Sequence, residues 1–215
     1  MLVFALTAAV LAGCAAEPPP VSEKVQQAYD NIGKATLQPS PKAITVTAIG
    51  DSVTAGNSPN FMAGQLGTLS WVSLLPSGEQ FVGGWALKGA TTEDMLANAK
   101  PVAADVLVII AGTNDGGRVP FATSADHLKA IAQKVGAKRV VVSAIPPRDA
   151  NPEWATDYNL QLQPFAVSQG WQFVDPMVGV RSGDHYIPGM TADGVHPTAP
   201  AVKIIAESLA TAIKG

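Results

Sequence analysis

Five short apolar runs, separated by segments of helical periodicity, constrain the fold of this 215-residue chain more than any other feature. The clearest run is Asp-Val-Leu-Val-Ile-Ile-Ala at 105–111, and the others lie at 43–49, from 80–82, at 139–145 and at 171–174. The second is the weakest. Runs without polar alternation are covered on both faces, which is the habit of strands in a parallel sheet. Helices are predicted over 70–75, 92–99, 123–136, 152–170 and 198–213, with Thr91 or Thr92 capping the second. In the third, Leu128, Ile131, Ala132 and Val135 fall on one stripe and Gly136 stops it. The alternation predicts a doubly wound α/β domain over 43–215 with about five parallel strands.

Composition narrows the function. The chain is 47% hydrophobic and 14% charged, so it can bury a sizeable core and is not of disordered type. Its formal net charge of -3 and the lack of any Lys/Arg run argue against nucleic acid as a partner. No GxxxxGK[ST] or GxGxxG occurs, so a nucleotide site has no support. The single cysteine, Cys14, excludes a disulfide scaffold and a cysteine-based zinc site, and His127, His185 and His196 are not paired at helical spacing. No metal or other cofactor is expected.

Three polar motifs sit where strands end or a helix begins: Gly50-Asp51-Ser52, Gly112-Thr113-Asn114-Asp115 and Asp193-Gly194-Val195-His196-Pro197. In a doubly wound sheet, ligands bind beyond the carboxyl ends of the strands, where the strand order reverses. Ser52 follows the first strand and Asn114 the third, so both are expected at one rim. A serine hydroxyl needs a base to become a nucleophile. His196 can be that base, and Asp193, three residues earlier, can orient its ring and stabilise the imidazolium. The plainer readings are a turn serine, a capped helix start with a surface histidine, and a turn asparagine. His185, beside Asp184, is the rival histidine, but Ser182 stands where its acid would be. His127 is expected on the polar face of its helix. Asp51 and Asp115 read as structural acceptors.

At these residues the chain resembles the SGNH (GDSL-type) hydrolases, over about residues 43–213. The matching segments are Gly-Asp-Ser-Val-Thr-Ala-Gly at 50–56, Gly89 within Lys-Gly-Ala-Thr-Thr, Gly112 to Asp115 and Asp193 to Pro197; Trp-Val-Ser-Leu-Leu at 71–75 is similar to the family's first helix. The resemblance implies a three-layer α/β/α, flavodoxin-like fold and metal-free ester or thioester hydrolysis. It also implies an oxyanion hole formed by the backbone N–H groups of Ser52 and Gly89 and the side-chain amide of Asn114. With no long insertion the site is expected to be open and shallow. Phe61, Met62 and Leu66 are expected to shape an acyl pocket, whereas Trp85, Trp154, Trp171 and Phe121 read more readily as core.

Residues 2–12 are nearly all apolar, and no charge precedes Glu17. The run is too short to span a bilayer, which takes ~20 residues. Ending in Leu-Ala-Gly-Cys, it resembles a bacterial lipoprotein signal peptide over 1–13, with lipidation at Cys14 and a linker over 14–42. Val21, Val25, Ala28 and Ile32 recur at helical spacing, so 22–35 is either a spacer or a helix packed on the domain. The chain therefore reads as an extracytoplasmic, lipid-anchored serine esterase acting on short or medium acyl groups through an acyl-enzyme. Two alternatives stand beside it. One is an O-acyltransferase or deacetylase acting on cell-envelope glycans. The other is a non-catalytic binding lipoprotein.

Overall fold

The computed structural model describes residues 42–215. The expected signal segment, Cys14 and the periodic stretch over 22–35 lie outside the described residues. Five parallel strands form one sheet: β1 (Ile44–Gly50), β2 (Glu79–Ala86), β3 (Val106–Ile110), β4 (Arg139–Ser143) and β5 (Gln172–Val174), in the order β2-β1-β3-β4-β5. The chain moves outward from β1 to β2, then returns across β1 to β3, so the order reverses between β1 and β3. Five parallel strands in one sheet are what the apolar runs predict; their order comes from the structure.

The β-branched runs bury both faces, and alternate residues divide the core into two layers. Val106, Val108 and Ile110 of β3 face one layer, with Val46 and Ala48 of β1. That layer is closed by Val202, Ile205, Leu209 and Ile213 of the last helix, here α5 (Ala199–Lys214), and by Trp71 and Val72 of a 3-10 turn (Trp71–Leu74). Leu107 and Ile109 face the other layer. It is covered by α2 (Thr92–Asn98), α3 (Phe121–Val135) and α4 (Pro152–Ser168), through Met95, Leu128, Ile131, Tyr158 and Leu162. The remaining helix, α1 (Ser52–Ala55), is a single turn directly after β1. Each buried Val, Leu and Ile side chain among these contributes about 1.5–3 kcal/mol by leaving water. The capping box at α2 uses Thr91: its hydroxyl accepts from the Asp94 N–H while the Asp94 carboxylate accepts from the Thr91 N–H.

Two features depart from the sequence reading. Strand β2 runs well past Val82, because a bulge absorbs that residue: Val46 pairs with Phe81 but Thr47 pairs with Gly83. Gly84 then lies so close to β1 that a Cβ there would sit 2.1 Å from the carbonyl oxygen of Ala48. A two-stranded antiparallel hairpin, β6 (Arg181–Ser182) and β7 (His185–Tyr186), was also not anticipated. Among the described residues no helix is long and apolar enough to cross a membrane.

Candidate active site

Register places three of the expected groups at one rim. Gly50, the last residue of β1, pairs with Ala86 of β2 and with Ile110 of β3. Ser52, Gly89 and Asn114 each follow one of these ends by a few residues. The carboxyl ends of the strands therefore deliver them together at the point where strand order reverses.

Asp51 builds the turn that presents the serine. Its Oδ1 accepts from the Val53 N–H at 2.9 Å, and its carbonyl accepts from Thr54 and Ala55. The Ser52 N–H is not among the groups so engaged. Gly56 ends the turn with φ +55, and a Cβ there would come 2.3 Å from the carbonyl of Leu69. Ser52 itself is 7% exposed, so only its rim-facing side is open.

The second part of the site comes from the loop before α5. His196 Nε2 lies 3.0 Å from Ser52 Oγ, and His196 Nδ1 lies 2.6 Å from Asp193 Oδ2. The other carboxylate oxygen of Asp193 accepts from the backbone N–H groups of His196 at 2.8 Å and Val195 at 3.0 Å. These bonds, first the backbone donor and then the ring of His196, hold the Asp193 carboxyl well below the usual carboxylate range. It therefore stays ionised through the mildly acid range. His196 and Asp193 are about half exposed, at 51% and 53%, which fits an open site.

The loop is pinned from several sides. The Thr191 hydroxyl donates to the His196 carbonyl at 2.9 Å, and the Tyr186 hydroxyl donates to the Val195 carbonyl at 2.9 Å. The Asp149 N–H donates to the Gly194 carbonyl, and the Asp149 carboxylate accepts from the Tyr186 N–H. Sequence reasoning missed Thr191, Tyr186 and Asp149. Only Thr191 lies near a motif; the other two act from separate segments.

Asn114 is half-buried, and its amide nitrogen donates to the Ala90 carbonyl at 3.0 Å. One amide hydrogen is thereby fixed, which orients the second. Gly89 has φ +77, a left-handed conformation that favours glycine, and a Cβ there would meet nothing within 4 Å. Below them Asp115 is fully buried and accepts from the Thr92 N–H, the Thr92 hydroxyl and the Ser124 hydroxyl. It is a scaffold acceptor, as expected, tying α2 and α3 to the strand end.

Several expected positions are placed elsewhere. His127 is not simply solvated: it is half-buried, with Nδ1 2.9 Å from the Thr92 hydroxyl. His185 pairs with Asp184 at 2.6 Å and does not line the cleft beside Ser52. Phe61 is buried against Phe81, Leu66 packs on the core and Met62 is exposed, so none of the three lines that cleft. The cleft measures about 280 Å³ and is bounded by Ser52, Asn57, Leu69, Lys88, His196 and Pro197 among others. Phe121, Trp154 and Trp171 belong to an aromatic cluster with Tyr158 and Phe165, as core residues.

Asp51 also carries a testable electrostatic signature. It is completely buried, and desolvation raises its carboxyl to about 6 from a reference of 3.8; its bond from the Val53 N–H and the influence of Thr113 oppose this only in part. A folded-state value above the unfolded one stabilises the fold below pH 3.8, and that stability is lost as pH rises through about 6. The difference corresponds to about 3 kcal/mol. Asp51→Asn keeps an acceptor for Val53 without the charge. Its melting temperature relative to the parent protein is expected to rise between pH 4 and pH 7. A relative fall over that range would contradict the assignment.

Comparison with known proteins points the same way as the geometry. Residues 48–204 match the GDSL-like lipase/acylhydrolase family. A GDSL-like lipase from Bacteroides thetaiotaomicron is 21% identical with a TM-score of 0.62, the match covering 87% of this chain and 96% of that one. A putative lipolytic protein of the G-D-S-L family from Desulfitobacterium hafniense is 20% identical with a TM-score of 0.64, over 78% and 98%. A lipase/acylhydrolase from Enterococcus faecalis is 19% identical with a TM-score of 0.63, over 80% and 96%. No curated protein matches.

Proposed function

Because this chain belongs to the GDSL-like lipase/acylhydrolase family and is a serine ester hydrolase, we propose that Ser52, His196 and Asp193 are its catalytic triad and that it hydrolyses esters of short or medium acyl groups through an acyl-enzyme. One observation carries the reading: the continuous chain Ser52 Oγ to His196 Nε2 at 3.0 Å and His196 Nδ1 to Asp193 Oδ2 at 2.6 Å. His196 takes the Ser52 proton as Oγ attacks the ester carbonyl. It then gives that proton to the departing alcohol. Water repeats the sequence and releases the acid. Asp193, held ionised by its donors, fixes the ring with Nε2 toward serine and stabilises the imidazolium.

The negative oxygen that forms on attack needs preorganised donors. The backbone N–H groups of Ser52 and Gly89 and the free amide hydrogen of Asn114 fill that role. Asn114→Ala is expected to lower kcat by ~10²-fold to 10³-fold, about 3–4 kcal/mol, with little change in KM. Active-site titration, kcat and melting temperature measured together check this. An unchanged kcat per titrated site with a lower melting temperature would make Asn114 a turn residue only.

The acyl preference is tested with a panel of esters from two to sixteen carbons, with and without sugar acceptors. Highest kcat/KM at the short end with water as acceptor supports hydrolysis of short acyl groups. Acylated sugar as the main product would instead support the acyltransferase reading.

The location is part of the proposal. Leu-Ala-Gly-Cys at 11–14 after an apolar run supports lipidation of Cys14 and attachment on the extracytoplasmic face of a bacterial membrane. A diacylglyceryl group has two chains, enough for stable anchoring. Cys14→Ala is expected to move the enzyme out of the membrane fraction or leave an unprocessed precursor. Parent protein found wholly in the cytoplasm would contradict it.

A further inference from the structure

A second cavity of about 270 Å³ adjoins the site and is lined by Gly89, Asn114, Gly116, Arg118 and Arg148. Lys88 lines the Ser52 cleft and Gly89 lines this cavity, so the two meet along consecutive residues. Neither arginine forms a salt bridge among the described residues, although the chain as a whole is acidic. Arg148 donates through Nη1 to the Thr113 carbonyl at 3.2 Å, which aims its guanidinium beside Asn114. Arg118 and Arg148 both line the cavity, and no carboxylate does.

We infer that this cavity receives an anionic head, a carboxylate or a phosphate, carried by the acyl part of the ester. The inference rests on the hydrolase reading above. His196 must protonate the leaving oxygen, so the alcohol belongs in the cleft that contains His196. The carbonyl oxygen faces Asn114 and Gly89. The remaining substituent of the carbonyl carbon is the acyl chain, which we place in the arginine-lined cavity that begins at Gly89 and Asn114. The volume equals that of roughly nine water molecules, enough for a chain of a few heavy atoms with a charged end. Arginine suits this task because its planar fork binds carboxylate and phosphate with two parallel hydrogen bonds.

The test compares 4-nitrophenyl esters of succinate and butyrate, which differ in the terminal carboxylate. The parent enzyme is expected to favour the hemisuccinate by about tenfold or more in kcat/KM, less at high salt. Arg118→Gln, on an exposed loop where it supports no other group, is expected to remove most of that ratio. Arg118→Glu is expected to invert it in favour of the cationic 4-aminobutyrate ester. Equal kcat/KM for succinate and butyrate in the parent, with both hydrolysed through Ser52, would overturn the inference and leave the hydrolase reading intact. Competition by succinate and by 3-phosphonopropionate assigns the head group by whichever inhibits more tightly; inhibition by neither also overturns it. A readout independent of turnover is titration of monomethyl succinate and methyl butyrate into the Ser52→Ala protein, followed by NMR. Tighter binding of the succinate ester that is lost in the added Arg118→Gln change supports the inference. Equal binding contradicts it, whether or not any ester is turned over.

Discussion

Ser52→Ala is expected to lower kcat/KM by ~10⁴-fold to 10⁶-fold while leaving the fold unchanged. In the proposed mechanism the hydroxyl is the atom that bonds to the acyl group, and no other hydroxyl lines the cleft. Lys88 and Asn57 also line the cleft, but neither is within hydrogen-bond distance of His196 Nε2. The structural effect is small because the oxygen makes one side-chain contact, to His196, and the turn is built by Asp51. Steady-state rates and circular dichroism on the same preparation decide the matter. A correctly folded variant retaining more than about a tenth of the activity would remove Ser52 from the mechanism.

His196→Ala is expected to be nearly as damaging, and the double variant with Ser52→Ala no worse than either alone. Residues that act as one unit lose their combined effect when any member is removed, so the costs do not add. The geometry explains why: Ser52 Oγ has one basic partner, and the Asp193 carboxylate reaches serine only through the ring of His196. His185 offers a direct contrast. It also has a carboxylate at 2.6 Å, on Asp184, yet it stands outside the Ser52 cleft. His185→Ala is expected to keep turnover within a few-fold of normal. Should His185→Ala abolish activity while His196→Ala preserves it, the triad would have to be reassigned. A double variant far slower than both single variants would mean that the two residues act independently.

The sheet was legible because its strands are buried on both faces and so read as unbroken apolar runs. Only the start of strand β2 was legible, because Gly83-Gly84 interrupts its pattern. Those glycines accompany a bulge and a close approach to β1, which only the pairing shows. The hairpin β6–β7 has two residues per strand, too few for any periodicity. The proximity of Ser52, Asn114, Asp193 and His196 was legible because each sits in a short motif at a strand end or helix start, and a parallel sheet gathers such ends at one rim. The supporting residues were not. Tyr186 and Asp149 reach the Asp193–His196 loop from separate segments, and Arg118 and Arg148 share a cavity while lying on different connections. Aromatic and apolar side chains were the least informative. Phe61 and Leu66 follow the nucleophile in sequence but fold into the core, where burial satisfies them as well as a substrate would.

The central claim is that Ser52 is the nucleophile of a covalent mechanism, and covalent capture tests it most directly. A fluorophosphonate transfers its phosphonyl group to an activated serine and loses fluoride. Intact-mass measurement followed by peptide mapping is expected to show one adduct, on Ser52, forming in step with loss of esterase activity. The adduct is expected to be absent from both Ser52→Ala and His196→Ala. A fully inactivated enzyme carrying its label on another residue, or an enzyme labelled completely at Ser52 that still turns over esters, would contradict the account.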